Sequence, residues 1–152
     1  MTVVERTRPS AVLFACSMNA VRSPMAEAIA KHLFNRKIYF QSAGVRPGGE
    51  LDPFAVKVLE EIGLDISRHR PRTFDDIEDS NFDLIVTLAP EAHHKALDLT
   101  RTQAMDVEYW PTQDPQLASG SREQILEAYR TVRDGLMRRI KDRLGWSPQA
   151  HD

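Results

Sequence analysis

Short apolar runs alternate with helical patterns along most of the chain. The run at residues 11–15 contains no polar residue, which is typical of a central strand that is buried on both faces. Further strands are predicted at residues 38–41, 84–88 and 107–110. The pattern therefore predicts four strands, the first of them fully buried.

Between these strands, apolar residues recur at the spacing of amphipathic helices. Helices are predicted at residues 23–35, 52–62, 90–97 and 121–144. Ser23 and Asp52 are predicted to cap the first two, with Pro24 in the first turn of the first helix. Ser121 and Gln124 have the spacing of a capping box at the start of the last helix.

Strands that alternate with helices favour a parallel sheet covered on both faces, joined by right-handed crossovers. The prediction is a single α/β domain over residues 1–152, an open doubly wound four-stranded sheet, with residues 1–9 and 147–152 as loose ends. Such folds bind ligands at the carboxyl ends of their strands. The turn after the first strand is thus the first place to look for a site.

Composition narrows the possible functions. Lys and Arg number 20 and Asp and Glu 22, a formal charge of −2, which lacks the basic surplus of nucleic-acid-binding proteins. No apolar run approaches the ~20 residues of a membrane span. Cys16 is the single cysteine, so the chain can form no internal disulfide or Cys-rich zinc site. A reducing, cytoplasmic setting is expected, with no metal and no membrane partner.

The turn after the first strand, residues 16–22, is called the oxyanion loop below. Cys16 ends the strand, and Arg22 and Ser23 open the following helix. The backbone N–H groups of such a loop, together with the helix N-terminus, can surround an anion. A guanidinium at Arg22 matches two phosphate oxygens, and the same positive field stabilises a thiolate at Cys16. The alternative is that Cys16 is only a small buried apolar residue.

The sequence resembles the low-molecular-weight protein tyrosine phosphatases and the related arsenate reductases. The resemblance covers roughly residues 11–144 and rests on four segments: Cys16 through Pro24 with Asn19 in place, Ser42-Ala43-Gly44, Gly63 through His69 and Arg70, and Asp114-Pro115.

The resemblance implies a role for each matching residue. Cys16 would be the nucleophile, Arg22 the clamp on the oxyanion, and Ser23 a hydrogen-bond donor to the cysteine sulfur. Asp114 would be the general acid and then the general base. The implied phosphate-binding residues are Cys16, Ser17, Met18, Asn19, Ala20, Val21 and Arg22. Asn19, Ser42 and His69 would support the loop by hydrogen bonds.

Three positions differ from the usual pattern of that family. Met18 stands where glycine is common, so a positive φ there would strain the backbone. Val21 stands where many phosphatases carry a second cysteine. Gln116 and Leu117 replace an aromatic pair that often follows Asp-Pro, which predicts modest preference for phosphotyrosine.

The predicted function is a phosphomonoesterase that acts through a phosphocysteine, without a cofactor. Its substrate would be a phosphorylated protein or a small aryl phosphate, with inorganic phosphate or arsenate as ligand and no nucleic-acid partner. One alternative is an arsenate reductase completed by an external thiol such as glutathione or mycothiol, because the chain has no further cysteine. The other is a non-catalytic phosphate-binding regulator.

Overall fold

Four parallel strands form the sheet in the order β2-β1-β3-β4. They are β1 (Ala11–Cys16), β2 (Tyr39–Gly44), β3 (Leu84–Thr87) and β4 (Asp106–Tyr109). The computed structural model describes residues 8–77 and 81–148, so the predicted loose ends fall largely outside the described residues, at 1–7 and 149–152. All three strand pairings are parallel, and the predicted four-stranded parallel sheet is confirmed.

Helices cover both faces of this sheet, as predicted. They are α1 (Arg22–Phe34), α2 (Pro53–Glu60), α3 (Pro90–Leu99) and α4 (Arg122–Leu144). One apolar cluster joins α1, α2 and α4 to one face, and a second joins α3 to the other. Within the described part of the chain, none of the helices has the length and apolar character needed to cross a membrane.

Strand β1 supplies both clusters, because successive side chains of a strand point to opposite faces. Val12 and Phe14 belong to the cluster under α1, and Leu13 and Ala15 to the cluster under α3. Every residue of β1 is buried. The unbroken apolar run therefore marks the central strand, whose carboxyl end leads directly into the oxyanion loop.

The helix starts test the predicted caps. The Asp52 carboxylate accepts a hydrogen bond from the Phe54 backbone N–H at 2.8 Å, and Ser121 forms the predicted capping box. The prediction for Ser23 is wrong, because α1 begins at Arg22 after Val21, with no side-chain cap. Ser23 lies inside the first turn, and its hydroxyl is engaged elsewhere.

Strand β2 also differs from its prediction. It extends to Gly44, three residues past the predicted end at Gln41, and so includes Ser42. Ser42 pairs with Phe14 of β1. This pairing brings the Ser42 hydroxyl close to the oxyanion loop at the end of the neighbouring strand.

Candidate functional site

The oxyanion loop turns its carbonyl oxygens toward the surrounding chain. The Ser17 oxygen accepts a hydrogen bond from the Arg46 N–H at 2.9 Å, and the Ala20 oxygen accepts one from the Asp52 N–H at 3.1 Å. Carbonyl oxygens bonded to the surrounding chain in this way do not face an anion within the loop, which is what an anion site requires.

Two glycines allow the chain to approach the loop closely. A Cβ atom at Gly44 would lie 2.7 Å from the Met18 carbonyl carbon, and one at Gly49 would lie 2.7 Å from the Met18 oxygen. Either methyl group would push the loop out of place. The glycine of the Ser42-Ala43-Gly44 segment is thus required by contact.

The strain considered at Met18 is absent. Among non-glycine residues at 8–77 and 81–148, positive φ values occur at Asn19 (57°) and Asn35 (53°). Asparagine adopts this left-handed conformation more readily than most residues. The loop therefore makes its left-handed turn at Asn19 and tolerates methionine at position 18.

The Cys16 sulfur lies within hydrogen-bond distance of the Ser23 hydroxyl. The Sγ of Cys16 lies 2.8 Å from the hydroxyl oxygen of Ser23, and the Asn19 amide donates to that same oxygen at 2.8 Å. Either group can donate when Cys16 is a thiol, but a thiolate has no proton, so in that form the Ser23 hydroxyl must be the donor. A hydroxyl that donates to sulfur favours the thiolate over the thiol.

The orientation of the Asn19 amide is fixed by its other contacts. Its Oδ1 accepts a hydrogen bond from the Arg72 backbone N–H at 3.1 Å, so the Nδ2 group must face Ser23 and Ser42, each within 2.9 Å. His69 Nε2 lies 2.9 Å from the same Oδ1 and must carry a proton there. The predicted supports Asn19, Ser42 and His69 are therefore joined in one network.

Glu27 belongs to this network and was missed by the sequence reasoning. Its buried carboxylate accepts the Ser42 hydroxyl and the Lys31 ammonium group at 2.5 Å, with the Arg72 guanidinium at 3.9 Å. A signal was present, because Glu27 is four residues after Ser23 and shares its helix face. Its partner on β2 depends on strand pairing, which the sequence does not show.

The surroundings of His69 favour its neutral form over its charged form. Burial lowers the pKa of its imidazole below the ordinary value of 6.5, because an apolar environment disfavours the charged form. The nearby Glu27 carboxylate acts in the opposite direction, and the Arg72 guanidinium adds to the lowering. Because the Asn19 Oδ1 atom can only accept, the neutral ring must carry its proton on Nε2.

The partner of Arg22 is distant in the sequence, at Thr112. Arg22 is buried, and its guanidinium donates to the carbonyl oxygen of Thr112 at 2.9 Å. Thr112 follows β4, and its own N–H donates to the Leu88 oxygen after β3 at 3.1 Å. Arg22 therefore ties the oxyanion loop to the segment that carries Asp114.

Asp114 opens a short 3₁₀ turn, Pro115–Leu117; residues 114–117 are called the acid turn below. One carboxylate oxygen of Asp114 accepts the backbone N–H of Gln116 at 3.0 Å. The Asp-Pro pair therefore forms a turn, as this dipeptide often does. It is compatible with a catalytic role, because the cap uses only the Oδ1 atom.

A second carboxylate at the loop was not anticipated. The Ser17 side chain lies beside the Glu91 carboxylate and is the main cause that lowers the pKa of Glu91. Arg46 adds an ion pair at 2.7 Å. The Ser17 side chain is thus directed toward α3. Ala20 and Val21 have buried side chains, so either can offer a bound anion only its backbone.

Comparisons with known proteins agree with this geometry. The family described as "Low molecular weight phosphotyrosine protein phosphatase" matches residues 11–144. An arsenate reductase of Bacillus subtilis (strain 168) is 35% identical over 131 residues, which cover 86% of this chain and 92% of the relative.

Two solved structures share the fold at similar identity. An arsenate reductase in the phosphate-binding state superposes with a TM-score of 0.70 at 29% identity, covering 90% of this chain and 97% of the other. A low-molecular-weight protein tyrosine phosphatase from T. tengcongensis gives 0.72 at 28% identity, covering 88% and 96%. With the cysteine loop and its hydrogen-bonded supports in place, the chain belongs to the low-molecular-weight phosphotyrosine protein phosphatase family.

Proposed function

We propose that the protein is a phosphomonoesterase that acts through a phosphocysteine at Cys16. The observation that carries the proposal is the 2.8 Å contact between the Ser23 hydroxyl and the Cys16 sulfur, in which a thiolate can only accept the Ser23 proton. It prepares a thiolate at the base of an anion-binding loop. A buried cysteine with a merely structural role has no need of such a donor.

In the first step, the Cys16 thiolate attacks phosphorus and forms the S–P bond. Arg22 and the loop N–H groups bind the oxygens that carry the developing charge. The P–O bond to the leaving group breaks, and Asp114 supplies the proton that this oxygen needs.

In the second step, the Asp114 carboxylate accepts a proton from water, which attacks the phosphocysteine. The S–P bond breaks, and its electrons return to sulfur as the thiolate, which Ser23 stabilises. Two easier displacements thus replace one difficult displacement. The balance needs only water, with no redox partner.

The acid turn bears on the substrate class. Leu117 is 80% exposed, and the Gln116 amide is bonded to Asp52 at 3.1 Å, so no aromatic pair lines this side. We infer modest preference between phosphorylated proteins and small aryl phosphates. The enzyme would act in the cytoplasm, where its thiol stays reduced.

Arsenate reduction is the second candidate, because the Bacillus subtilis relative carries the name arsenate reductase. Arsenate would condense with Cys16 and lose water. An external thiol such as glutathione or mycothiol would then attack the Cys16 sulfur, and the S–As electron pair would leave with arsenic as arsenite. A second thiol would reduce the mixed disulfide, since Cys16 is the chain's single cysteine.

A parallel assay separates these functions. Purified protein is given 4-nitrophenyl phosphate in one series, and arsenate with glutathione or mycothiol in the other, with Cys16→Ser as the control. Phosphate release that depends on Cys16, without arsenite formation, is the expected result. Arsenite formation alone would assign the reductase. Oxyanion binding without either reaction would assign the non-catalytic regulator.

A further inference from the structure

Asp52 is a buried junction between three parts of the fold. One carboxylate oxygen caps α2 through the Phe54 N–H at 2.8 Å. The other accepts the Tyr129 hydroxyl of α4 at 2.7 Å and the Gln116 side-chain amide of the acid turn at 3.1 Å. The residue is 8% exposed, so these donors replace the water that a buried carboxylate has lost.

The same residue is attached to the oxyanion loop. Its backbone N–H donates to the Ala20 carbonyl oxygen at 3.1 Å. Asp52 therefore connects Gln116 to the oxyanion loop: its side chain is bonded to Gln116, and its backbone N–H is bonded to Ala20. A displacement of the acid turn relative to the loop would have to break this path.

Gln116 is bonded at both of its ends. Its backbone N–H donates to the Asp114 carboxylate at 3.0 Å, and its side chain donates to Asp52 at 3.1 Å. We propose that Gln116 is a positioning residue, which holds the Asp114 carboxylate at a fixed place relative to the oxyanion loop. This inference rests on the proposed function, because it concerns the acid of that reaction.

The chemistry of the junction suits an amide at this position. An amide N–H donates to the Asp52 carboxylate, whereas a glutamate would place a second negative charge beside it. Tyr129 supports the arrangement from α4, and its ring packs on Phe54 with centroids 5.4 Å apart. Burial and the bond to Asp52 raise the pKa of the Tyr129 hydroxyl, so it remains a proton donor.

The test replaces the amide with an apolar side chain of similar size, Gln116→Leu. Gln103→Leu is the matched control, because Gln103 is an exposed glutamine after α3, outside the acid turn. For each variant, kcat is measured with phosphate esters that have poor leaving groups and with phosphate esters that have strongly acidic leaving groups. Gln116→Leu should lower kcat for poor leaving groups by ~10- to 100-fold, the rate equivalent of one hydrogen bond to a charged group. It should hardly change kcat for activated esters, whereas the melting temperature should fall by a few degrees, because the buried Asp52 carboxylate loses one donor.

A double-mutant cycle separates positioning from a general structural effect. In an Asp114→Asn background, Gln116→Leu should cause no further loss, because the acid it positions is already gone. An equal loss in both backgrounds would overturn the proposal, as would a Gln116→Leu enzyme that matches Gln103→Leu. A wild-type protein that hydrolyses no ester would instead refute the proposed function itself.

Discussion

At the residue scale, the chemistry depends on where a few protons point. Ser23 has one hydroxyl proton, and Asn19 occupies the Ser23 oxygen as a donor. When Cys16 is a thiolate it can only accept, and the Ser23 proton is then directed to its sulfur. Asn19 is itself oriented by the backbone N–H of Arg72. A series of hydrogen bonds therefore runs from the main chain through Asn19 and Ser23 to Cys16.

Ser23→Ala should make Cys16 less reactive, because the thiolate loses its hydroxyl donor. We expect alkylation by iodoacetate at pH ~6 to slow by roughly tenfold or more, the effect of one hydrogen bond to a charged group. Ser17→Ala is the control in the same loop, since its side chain lies beside Glu91. Equal alkylation rates in the two variants would contradict this account.

His69 gives stability a predicted pH dependence. Its pKa is lowered in the folded protein, so the unfolded chain binds more protons between that lowered value and 6.5. The free energy of unfolding should rise with pH through this interval, and this contribution is lost as the pH falls through the lowered pKa. Urea unfolding at pH ~7.5 and ~5 measures the difference.

His69→Gln supplies the comparison for that measurement. Glutamine keeps an N–H donor for Asn19 but does not titrate near neutral pH. The variant should therefore show a smaller stability change between the two pH values. If its pH dependence equals that of the wild type, His69 contributes nothing to it.

At the scale of elements, close packing of β2 against the oxyanion loop determines what the loop tolerates. Gly44 ends β2 and lies against the Met18 backbone. Gly135 in the middle of α4 is the opposite case, because the nearest atom to its added Cβ is 3.9 Å away. The two glycines form a matched pair for one substitution.

Gly44→Ala should distort the loop and reduce turnover, because its Cβ would overlap backbone that cannot move aside. Gly135→Ala should stabilise the protein by about 0.5–1 kcal/mol, since alanine restricts the unfolded chain and its Cβ meets no close neighbour in the helix interior. Urea unfolding and phosphatase assays of both variants provide the check. A Gly44→Ala protein with wild-type turnover would show that the contact is not needed.

The elements also show what sequence can predict. Asp52 and Ser121 cap helices through contacts within three residues, and their patterns predicted those caps. Ser23 has the same residue type at a helix start, but its hydroxyl is taken by Cys16 and Asn19. Its role in the site followed from the resemblance, whereas the capping rule alone gave the wrong answer.

At the scale of the whole molecule, the strand order brings distant segments to one edge of the sheet. Cys16 ends β1, Ser42 lies on β2, and Thr112 follows β4. The alternation of strands and helices predicted this edge. The bonds across it, from Ser42 to Glu27 and from Arg22 to Thr112, depend on side-chain directions that no local pattern contains.

Hydrogen bonds also connect the acid turn and the segment before it to the oxyanion loop. Arg22 binds the carbonyl oxygen of Thr112, and Asp52 connects Gln116 with the oxyanion loop. The segments that carry Cys16, Arg22 and Asp114 are thus linked by hydrogen bonds, although almost a hundred residues separate Cys16 from Asp114. This linkage is what allows one carboxyl group to serve both steps of the proposed reaction.

The central claim is that phosphate passes through Cys16, and trapping the intermediate tests it most directly. Asp114→Asn should slow the attack of water, so an activated aryl phosphate should give a burst of phenol while the phosphocysteine accumulates. Rapid quenching and mass spectrometry should find one phosphoryl group on the peptide that contains Cys16. Steady turnover without a burst, with the unmodified Cys16 peptide throughout, would contradict the account.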